Sequence, residues 1–419
     1  MEASQQQSVD EILGLLLSLN QDDPVATLES LNDSIIPSLN NLKTEDLLAT
    51  DTDPLTILSP SLHAAGYFYF ICAKCQIANE QNSLTLYSAL CQFISSIDIQ
   101  QLKLVLPQMN RLISALENLS KVLNKDTLSL QPIYSLLQQF SFDEITLLHP
   151  YFIRKCLLNK MYKLPLKILD IEITKVNPQW ISIQDYLEYF YYGSMIYIGN
   201  KQYEKAFDAL SIVLTAPIQK AVSAIQLEAY KKYILISFIH YGEMMPLPKY
   251  VSNLIDKTCK KKYPAYFALI NVFDGSIDEL EATIQKYKSV FEKENSMGLV
   301  KQLLQSAYRR KIKDYTKVYI KAKISDIVLQ FKNILNERQV IDIMMEMIQK
   351  KELNATLSCI NGMHMIEFHH QWAKKDVSLD YQQVNLQEQI QWISLINDRL
   401  AEMDKLEGLN KDFQSKVNK

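Results

Sequence analysis

One dipeptide near the end of the chain, Asn361-Gly362, restricts the fold more than any other feature. A type I′ turn needs positive φ at both central residues, and Asn-Gly is the strongest short signal for such a hairpin. The turn pairs Ile360 with Met363. Since side chains alternate along a strand, the pairing puts a mainly apolar set on one face: Leu357, Cys359, His364, Ile366 and Phe368.

Three helical patterns come before this hairpin. The first starts near Gly298, the second follows a cap at Ser325 or Asp326, and the third follows Asn336. The third has a broad apolar stripe of Val340, Ile341, Met344, Met345 and Ile348. Three helices followed by a two-stranded wing predict a winged helix over residues 298–372.

Composition favours helices in the rest of the chain. Only 9 glycines occur among 419 residues, and 48% of the residues are apolar, so turns are few and two or three packed units are expected. The net charge of −3 implies no general attraction to nucleic acid or membrane. The six cysteines predict reduced thiols in the cytoplasm or nucleus, because they are too few for a disulfide framework in a chain of this length.

Helical segments of about 15 to 20 residues recur from Leu62 to about Leu148, which is typical of a helical array. Further helices are predicted over residues 165–174 and 276–291, and another is predicted to begin at residues 247–250. The junction at Gly199-Asn200, followed by Tyr203-Glu-Lys-Ala206, resembles a tetratricopeptide-type helix pair. The predicted fold class is all-α with a small β wing. The predicted parts are a disordered tail (1–8), an N-terminal array (9–148), further helical repeats (149–297), the winged helix (298–372), a linker (373–383), a C-terminal helix (384–407) and a flexible tail (408–419).

Catalytic motifs do not occur in the sequence. It contains no glycine-rich phosphate loop, no His-Glu-x-x-His zinc helix and no Gly-x-Ser-x-Gly elbow. The pair Cys72 and Cys75 lacks the second pair that a zinc site needs, so buried helix cysteines are the preferred interpretation. The adjacent His369 and His370 would point to opposite faces of a strand and cannot chelate together. We therefore predict no catalytic, metal or cofactor site.

A basic segment leaves one alternative open. Residues 301–323 contain eight lysines or arginines and one acid, Asp314, and Lys260 to Lys262 form a second cluster. A winged helix with such a segment is able to bind nucleic acid through its third helix. That third helix, however, balances its acidic and basic residues, whereas DNA binding favours a cationic excess. A surface that faces a protein partner is therefore preferred over nucleic acid.

Two sets of apolar residues are candidates for protein interfaces. If the first face of the wing covers the core, Ile360, Met363 and Met365 are left exposed on the other face, beside a strand edge. The final helix carries a stripe that needs a partner in this chain or another. Its members are Leu386, Ile390, Ile393, Leu400 and Met403.

Three stretches carry a resemblance to a known family: residues 228–235, residues 247–250, and above all residues 295–308. They resemble the PCI subunits found in the proteasome lid, the COP9 signalosome and translation initiation factor three, and most of all the subunit three family of the signalosome. The resemblance is strongest over residues 185–325. Over residues 1–150 and the wing, fewer individual residues match, although the pattern of helices is similar.

The resemblance implies a non-catalytic scaffold. In this family, winged helices join edge to edge and C-terminal helices gather in a bundle. The signalosome removes NEDD8 from cullins and so regulates cullin–RING ubiquitin ligases, with its isopeptidase in a different subunit. The expected neighbours are subunits one and eight, and the expected location is cytoplasm and nucleus. The alternatives are a PCI subunit of the proteasome lid or the initiation factor, or a nucleic-acid-binding winged helix.

Overall fold

The computed structural model describes most of the chain up to residue 369 and part of the last helix. The described residues are 9–18, 24–48, 52–139, 144–178, 180–218, 221–273, 275–331, 335–360, 363–369, 390, 393–394, 397–403 and 405. They divide into two compact units, one up to Ala307 and one from Tyr308. The predicted tails (1–8 and 408–419) and linker (373–383) lie outside the described residues.

The N-terminal half of the first unit is helical. Its α-helices are α1 (Val9–Leu17), α2 (Pro24–Ser30), α3 (Ile36–Asn41), α4 (Thr44–Leu48), α5 (Pro54–Ile57), α6 (Ala64–Gln76), α7 (Ser83–Ser96), α8 (Ile99–Val105), α9 (Met109–Val122), α10 (Leu130–Gln139) and α11 (Leu148–Leu158). A π-helical turn spans Leu31–Ile35, and a 3-10 turn spans Leu106–Gln108. The central α6 is buried along nearly its whole length, as its apolar sequence predicts.

The remaining helices of the first unit follow in pairs. They are α12 (Leu166–Leu169), α13 (Ile183–Gly199), α14 (Tyr203–Thr215), α15 (Ala224–Ile236), α16 (Asn253–Lys262), α17 (Pro264–Phe273), α18 (Ile277–Lys286) and α19 (Lys288–Lys293), and α20 (Met297–Val318) continues into the second unit. A π-helical turn, Ser237–Tyr241, ends at Gly242 with φ 85°. Two apolar cores, one on each side of α13, hold the unit together.

The predicted junction between α13 and α14 is confirmed. Ser182 caps α13 in a reciprocal capping box with Asp185. At the other end, a Cβ on Gly199 would lie 2.7 Å from the Tyr162 ring, so glycine permits the close approach. Asn200 then donates to the Tyr162 carbonyl oxygen at 2.8 Å, and the next helix begins at Tyr203. The helix break at Gly199-Asn200 is therefore as predicted, but the close approach that the glycine permits is to Tyr162, after α11, and not to α14.

Up to residue 369, the described part of the second unit has a helix, a strand, two helices and two strands in order. After α20 come β1 (Lys321–Lys323), α21 (Ile324–Gln330), α22 (Glu337–Gln349), β2 (Ala355–Ile360) and β3 (Met363–Phe368). The sheet is antiparallel with β3 in the middle, in the order β1-β3-β2. Asn336 and Gln339 form a capping box at the start of α22, as the helix prediction requires. The mostly helical fold with a small β wing is confirmed.

Several details of the prediction are wrong. The wing has three strands rather than two, because residues 321–323 pair with β3. The helix predicted over residues 165–174 ends at Leu169, and the β-branched run that follows is extended, with a bridge between Glu144 and Lys175. Residues 247–250 are not helical, because two prolines, Pro246 and Pro248, disfavour helix at the residues before them. The helix predicted over residues 276–291 is two helices, α18 and α19.

Candidate interaction surfaces

The predicted register of the hairpin is confirmed. Ile360 pairs with Met363, and Leu357 pairs with Ile366. Ile366 is fully buried, Phe368 nearly so and Leu357 half-buried, so this face covers the core of the second unit. His364, which was predicted to share the face, is exposed. The stripe of α22 needs one correction, because Met347 is buried while Met345 is 49% exposed.

The second face of the sheet carries the predicted wing candidates. Met365 is half-buried and lies between Ser358 on β2 and Lys323 on β1. Ile360 and Met363 are on the strands, but their side chains lie outside what the structure describes. All three therefore stay predicted interface residues. Because β3 is the middle strand, the unpaired backbone edges of this described sheet belong to β1 and β2.

An exposed apolar segment leads directly into the β1 edge. Val318 is 72% exposed, Tyr319 49% and Ile320 63%. The Phe368 amide donates to the Ile320 carbonyl oxygen at 2.8 Å, so this segment is held against the end of β3. Sequence reasoning missed it because it treated residues 301–323 only as a basic segment. The sequence did contain a signal for this surface, namely three consecutive apolar residues directly after a charged helix.

The described part of the C-terminal helix exposes the predicted stripe. Ile390 is 61% exposed, Ile393 59%, Leu400 53% and Met403 60%. Residues 397–403 form two turns of helix, with Leu400 and Met403 three residues apart on one side. Leu386, the fifth candidate, lies outside the described residues. Four large apolar side chains at described helical positions are thus in contact with solvent.

Acidic residues neutralise much of the basic segment. Arg309 pairs with Glu346 at 2.8 Å and with Glu352 at 3.4 Å. Lys317 pairs with Asp314 at 2.8 Å, and Lys321 pairs with Glu367 at 3.0 Å. Cations already bound to carboxylates release fewer counterions on binding a phosphate backbone, which weakens the nucleic-acid alternative.

A buried charge network joins two of the stretches that carried the family resemblance. Lys231 on α15 is 1% exposed, and its Nζ donates to Glu228 Oε1 at 2.6 Å and to Glu294 Oε2 at 2.9 Å. Tyr266 of α17 donates its hydroxyl to the same Glu294 oxygen at 2.8 Å. Lys232, also buried, donates to Ser296 Oγ at 2.9 Å. Residues 228–235 and 294–296 therefore meet inside the first unit.

The pKa values of the two lysines in this network shift in opposite directions. Burial acts to lower the pKa of Lys231, but its hydrogen bonds to Glu228 and Glu294 outweigh burial and raise it. Burial lowers the pKa of Lys232, whose one hydrogen-bond acceptor is the neutral Ser296 hydroxyl. In the network, two carboxylates therefore offset the cost of burying the Lys231 charge, whereas Lys232 is bonded to a neutral hydroxyl that offsets little of it.

The remaining candidates for chemistry have structural explanations. Cys72 and Cys75 lie buried on α6, as predicted, and burial raises the pKa of Cys75 to about 12, which keeps the thiol protonated. His369 Nε2 lies 3.0 Å from Thr356 Oγ1, while His370 lies outside the described residues. Among the described residues, no cluster of three metal-ligating side chains occurs. No helix in that part of the chain is long and apolar enough to cross a membrane.

The fold and these surfaces define a helical-repeat protein with a small three-stranded β wing. A family model for the N-terminal helical repeats of COP9 signalosome complex subunit 3 matches residues 28–255. The COP9 signalosome complex subunit 3 of Arabidopsis thaliana is 32% identical over 341 residues, which cover 80% of this chain and 78% of that protein. The subunit 3 of Dictyostelium discoideum is 33% identical over 222 residues, 52% of each chain. The chain belongs to the COP9 signalosome subunit 3 family.

Proposed function

We propose that this chain is a non-catalytic scaffold subunit of the COP9 signalosome, the complex that removes NEDD8 from cullins and so regulates cullin–RING ubiquitin ligases. Family membership supports the assignment to the complex. In this proposal, the isopeptidase site lies in another subunit. The role of this chain is to hold its neighbours in a fixed arrangement in the cytoplasm and nucleus.

The exposed stripe of the C-terminal helix is the observation that carries the proposal. Ile390, Ile393, Leu400 and Met403 are each more than half exposed. A helix with an apolar stripe is stable in water when that stripe packs against other apolar surface. The proposed partner is a bundle of C-terminal helices from the other subunits of the complex.

The second unit supplies the other proposed contact. Winged helices of neighbouring subunits, expected to be subunits one and eight, would pair along the edges of β1 and β2. The exposed Val318, Tyr319 and Ile320 beside β1 would add apolar area to such a contact. The side chains of Ile360, Met363 and Met365 are the candidates on the face of the sheet.

Purification of the native complex tests the proposal. The tagged chain is isolated from cells under native conditions, sized by gel filtration and analysed by mass spectrometry. Co-purification of the other signalosome subunits, at several hundred kilodaltons, is the expected result. A set of proteasome-lid or initiation-factor subunits would contradict the assignment, and migration at the mass of a single chain would contradict the scaffold role.

A further inference from the structure

An open groove runs between α13, α14 and the extended segment that precedes α13. It contains two neighbouring cavities with volumes of about 360 Å³ and 530 Å³. Ile212 of α14 lines both cavities and forms the wall between them. The groove lies entirely within the first unit.

Aromatic and aliphatic side chains line this groove. The smaller cavity is lined by Leu169, Tyr189, Phe190 and Tyr197, and the larger by Val176, Ile181, Ile183 and Tyr186. Glycine is needed at residue 193 in the wall of the smaller cavity, because a Cβ there would lie 2.9 Å from Leu169 Cδ2. Ile183 is 58% exposed and Val176 45%, which is high for apolar residues beside a cavity.

The length of the groove sets the size of its occupant. Ile183 at one end and Tyr197 at the other are fourteen residues apart on α13, which corresponds to roughly 21 Å at about 1.5 Å per residue. An extended chain covers that distance with about six residues at roughly 3.3 Å each. A helix would need about fourteen residues to cover the same distance at about 1.5 Å each.

Charge distinguishes the two ends. Lys205 lines the smaller cavity and is paired with Asp170 at 2.6 Å. Glu172 and Asp208 line the same cavity, and neither has a cationic partner among the described residues. Burial and the nearby Glu204 hold the pKa of the Asp208 carboxyl above its usual value. At neutral pH this end is acidic, whereas the other end, at Ile183 and Pro217, is uncharged.

We propose that the groove binds an extended segment of about six residues from a partner protein, with an apolar side chain in each cavity and a lysine or arginine beside Asp208. The shared wall at Ile212 separates two apolar side chains. The unpaired carboxylates of Glu172 and Asp208 select the cation. The same acidic end repels nucleic acids and anionic lipid surfaces, so a basic, apolar peptide fits it best.

Fluorescein-labelled hexapeptide libraries test this binding on the full-length chain and on the intact complex that contains it. Each library has leucine, isoleucine or phenylalanine at two positions and serine elsewhere, with either lysine or glutamate at one end. Fluorescence anisotropy measures the affinity. The lysine libraries are expected to bind roughly two- to fivefold more tightly than the glutamate libraries, as for a solvent-exposed ion pair.

A charge reversal sharpens the test. Asp208→Lys is expected to invert the preference so that the glutamate libraries bind more tightly, while Glu80→Lys, an exposed acid in the turn between α6 and α7, leaves it unchanged. Ile183→Asp is expected to weaken binding of both libraries at least about tenfold, because it puts a charge in the larger cavity. Circular dichroism melts check that each variant is folded.

Three results would overturn the proposal. The first is that no library binds. That result would mean that something else covers the groove, such as a second copy, another subunit or the chain's own tail. The second is equal binding of the lysine and glutamate libraries. The third is an unchanged preference in Asp208→Lys. None of these results bears on membership of the signalosome, which co-purification tests separately.

Discussion

The two units treat charge and apolar surface in opposite ways. In the first unit, Lys231 and Lys232 are almost fully buried and are surrounded by Glu228, Glu294 and two hydroxyl groups. In the C-terminal region, Ile390, Ile393, Leu400 and Met403 face solvent. The first unit therefore pairs its buried charges with its own residues. The C-terminal region leaves apolar side chains exposed that would stabilise the chain if they were buried.

The buried network therefore affects the stability of the folded chain, whereas the exposed stripe affects its association with other chains. A buried ion pair contributes little net stability but is costly to break, because one charge is left behind without its partner. An exposed apolar stripe contributes nothing to the isolated chain and becomes favourable only against another apolar surface. Mutations in the two regions should therefore affect different measurements, and four predictions examine this.

The largest effect is expected at the C-terminal stripe. The four described side chains correspond to about 6–12 kcal/mol of gross burial at roughly 1.5–3 kcal/mol each, before entropy costs. Ile393→Asp with Leu400→Asp should abolish co-purification with the other subunits while the unfolding free energy of the isolated chain changes by less than about 0.5 kcal/mol. The control is Ser394→Asp with Ala401→Asp, which puts two acids about 100° away on the same helix. Normal co-purification of the first variant would contradict the prediction.

The next effect belongs to the buried network. Lys231→Ala leaves Glu228 and Glu294 without their shared cation and should lower the unfolding free energy by about 3–5 kcal/mol, measured by urea denaturation. Lys260→Ala breaks an exposed pair with Asp256, at 2.7 Å, and should cost less than about 1 kcal/mol. Similar losses in the two variants would mean that burial does not make the network costly to break.

A smaller effect is expected at the wing. Met365→Asp should weaken the contact with one winged-helix neighbour by roughly tenfold, or about 1.4 kcal/mol, and leave the helical bundle intact. Chemical cross-linking followed by mass spectrometry distinguishes the two contacts. Met345→Asp is the matched control, since Met345 is an exposed methionine on α22 of the same unit. Unchanged cross-links to both neighbours would assign the exposed face to another role.

The smallest effect concerns pH and Lys232. In the unfolded chain this lysine keeps its proton up to its ordinary pKa of 10.5. In the folded chain, burial and the nearby Lys231 charge lower its pKa, and they outweigh Glu228 and Glu294, which raise it. The unfolded chain therefore binds more protons between the lowered pKa and 10.5, so this group makes stability rise with pH in that window.

Lys232→Met removes that rise. The unfolding free energy of the variant minus that of the natural chain should be most positive at neutral pH and should fall as pH approaches 10.5. Urea denaturation at a series of pH values measures this difference, in which other alkaline groups cancel. A difference that is constant with pH would mean that Lys232 titrates normally in the folded chain.

Local chemistry made part of this structure predictable from the sequence. The register of β2 with β3 follows from Asn361-Gly362, and the start of α22 from the Asn336 cap, because both depend on neighbouring residues only. The C-terminal stripe rests on the same kind of local signal, the spacing of its apolar residues, and its role as an interface stays a prediction. The COP9 signalosome subunit 3 family was recognised from contiguous residues and is confirmed by the comparisons.

Features that depend on distant residues were not predictable. β1 has only three residues, Lys321, Ala322 and Lys323, and nothing in Lys-Ala-Lys favours a strand until β3 pairs with it. The Lys231–Glu294 contact joins residues 63 positions apart, and its local sequence shows only a charged helix. The groove beside α13 was missed because residues 170–174, which form one wall, had been assigned to a helix.

The exposed stripe also has a consequence for how much of this chain a cell keeps. A chain made in excess of its partners displays four large apolar side chains that chaperones and proteases of the quality-control system recognise. In the proposed assembly the partners cover this signal, which would tie the lifetime of the chain to the supply of its partners. The same helix that is proposed to join the complex would then keep the number of subunits equal without any dedicated regulator.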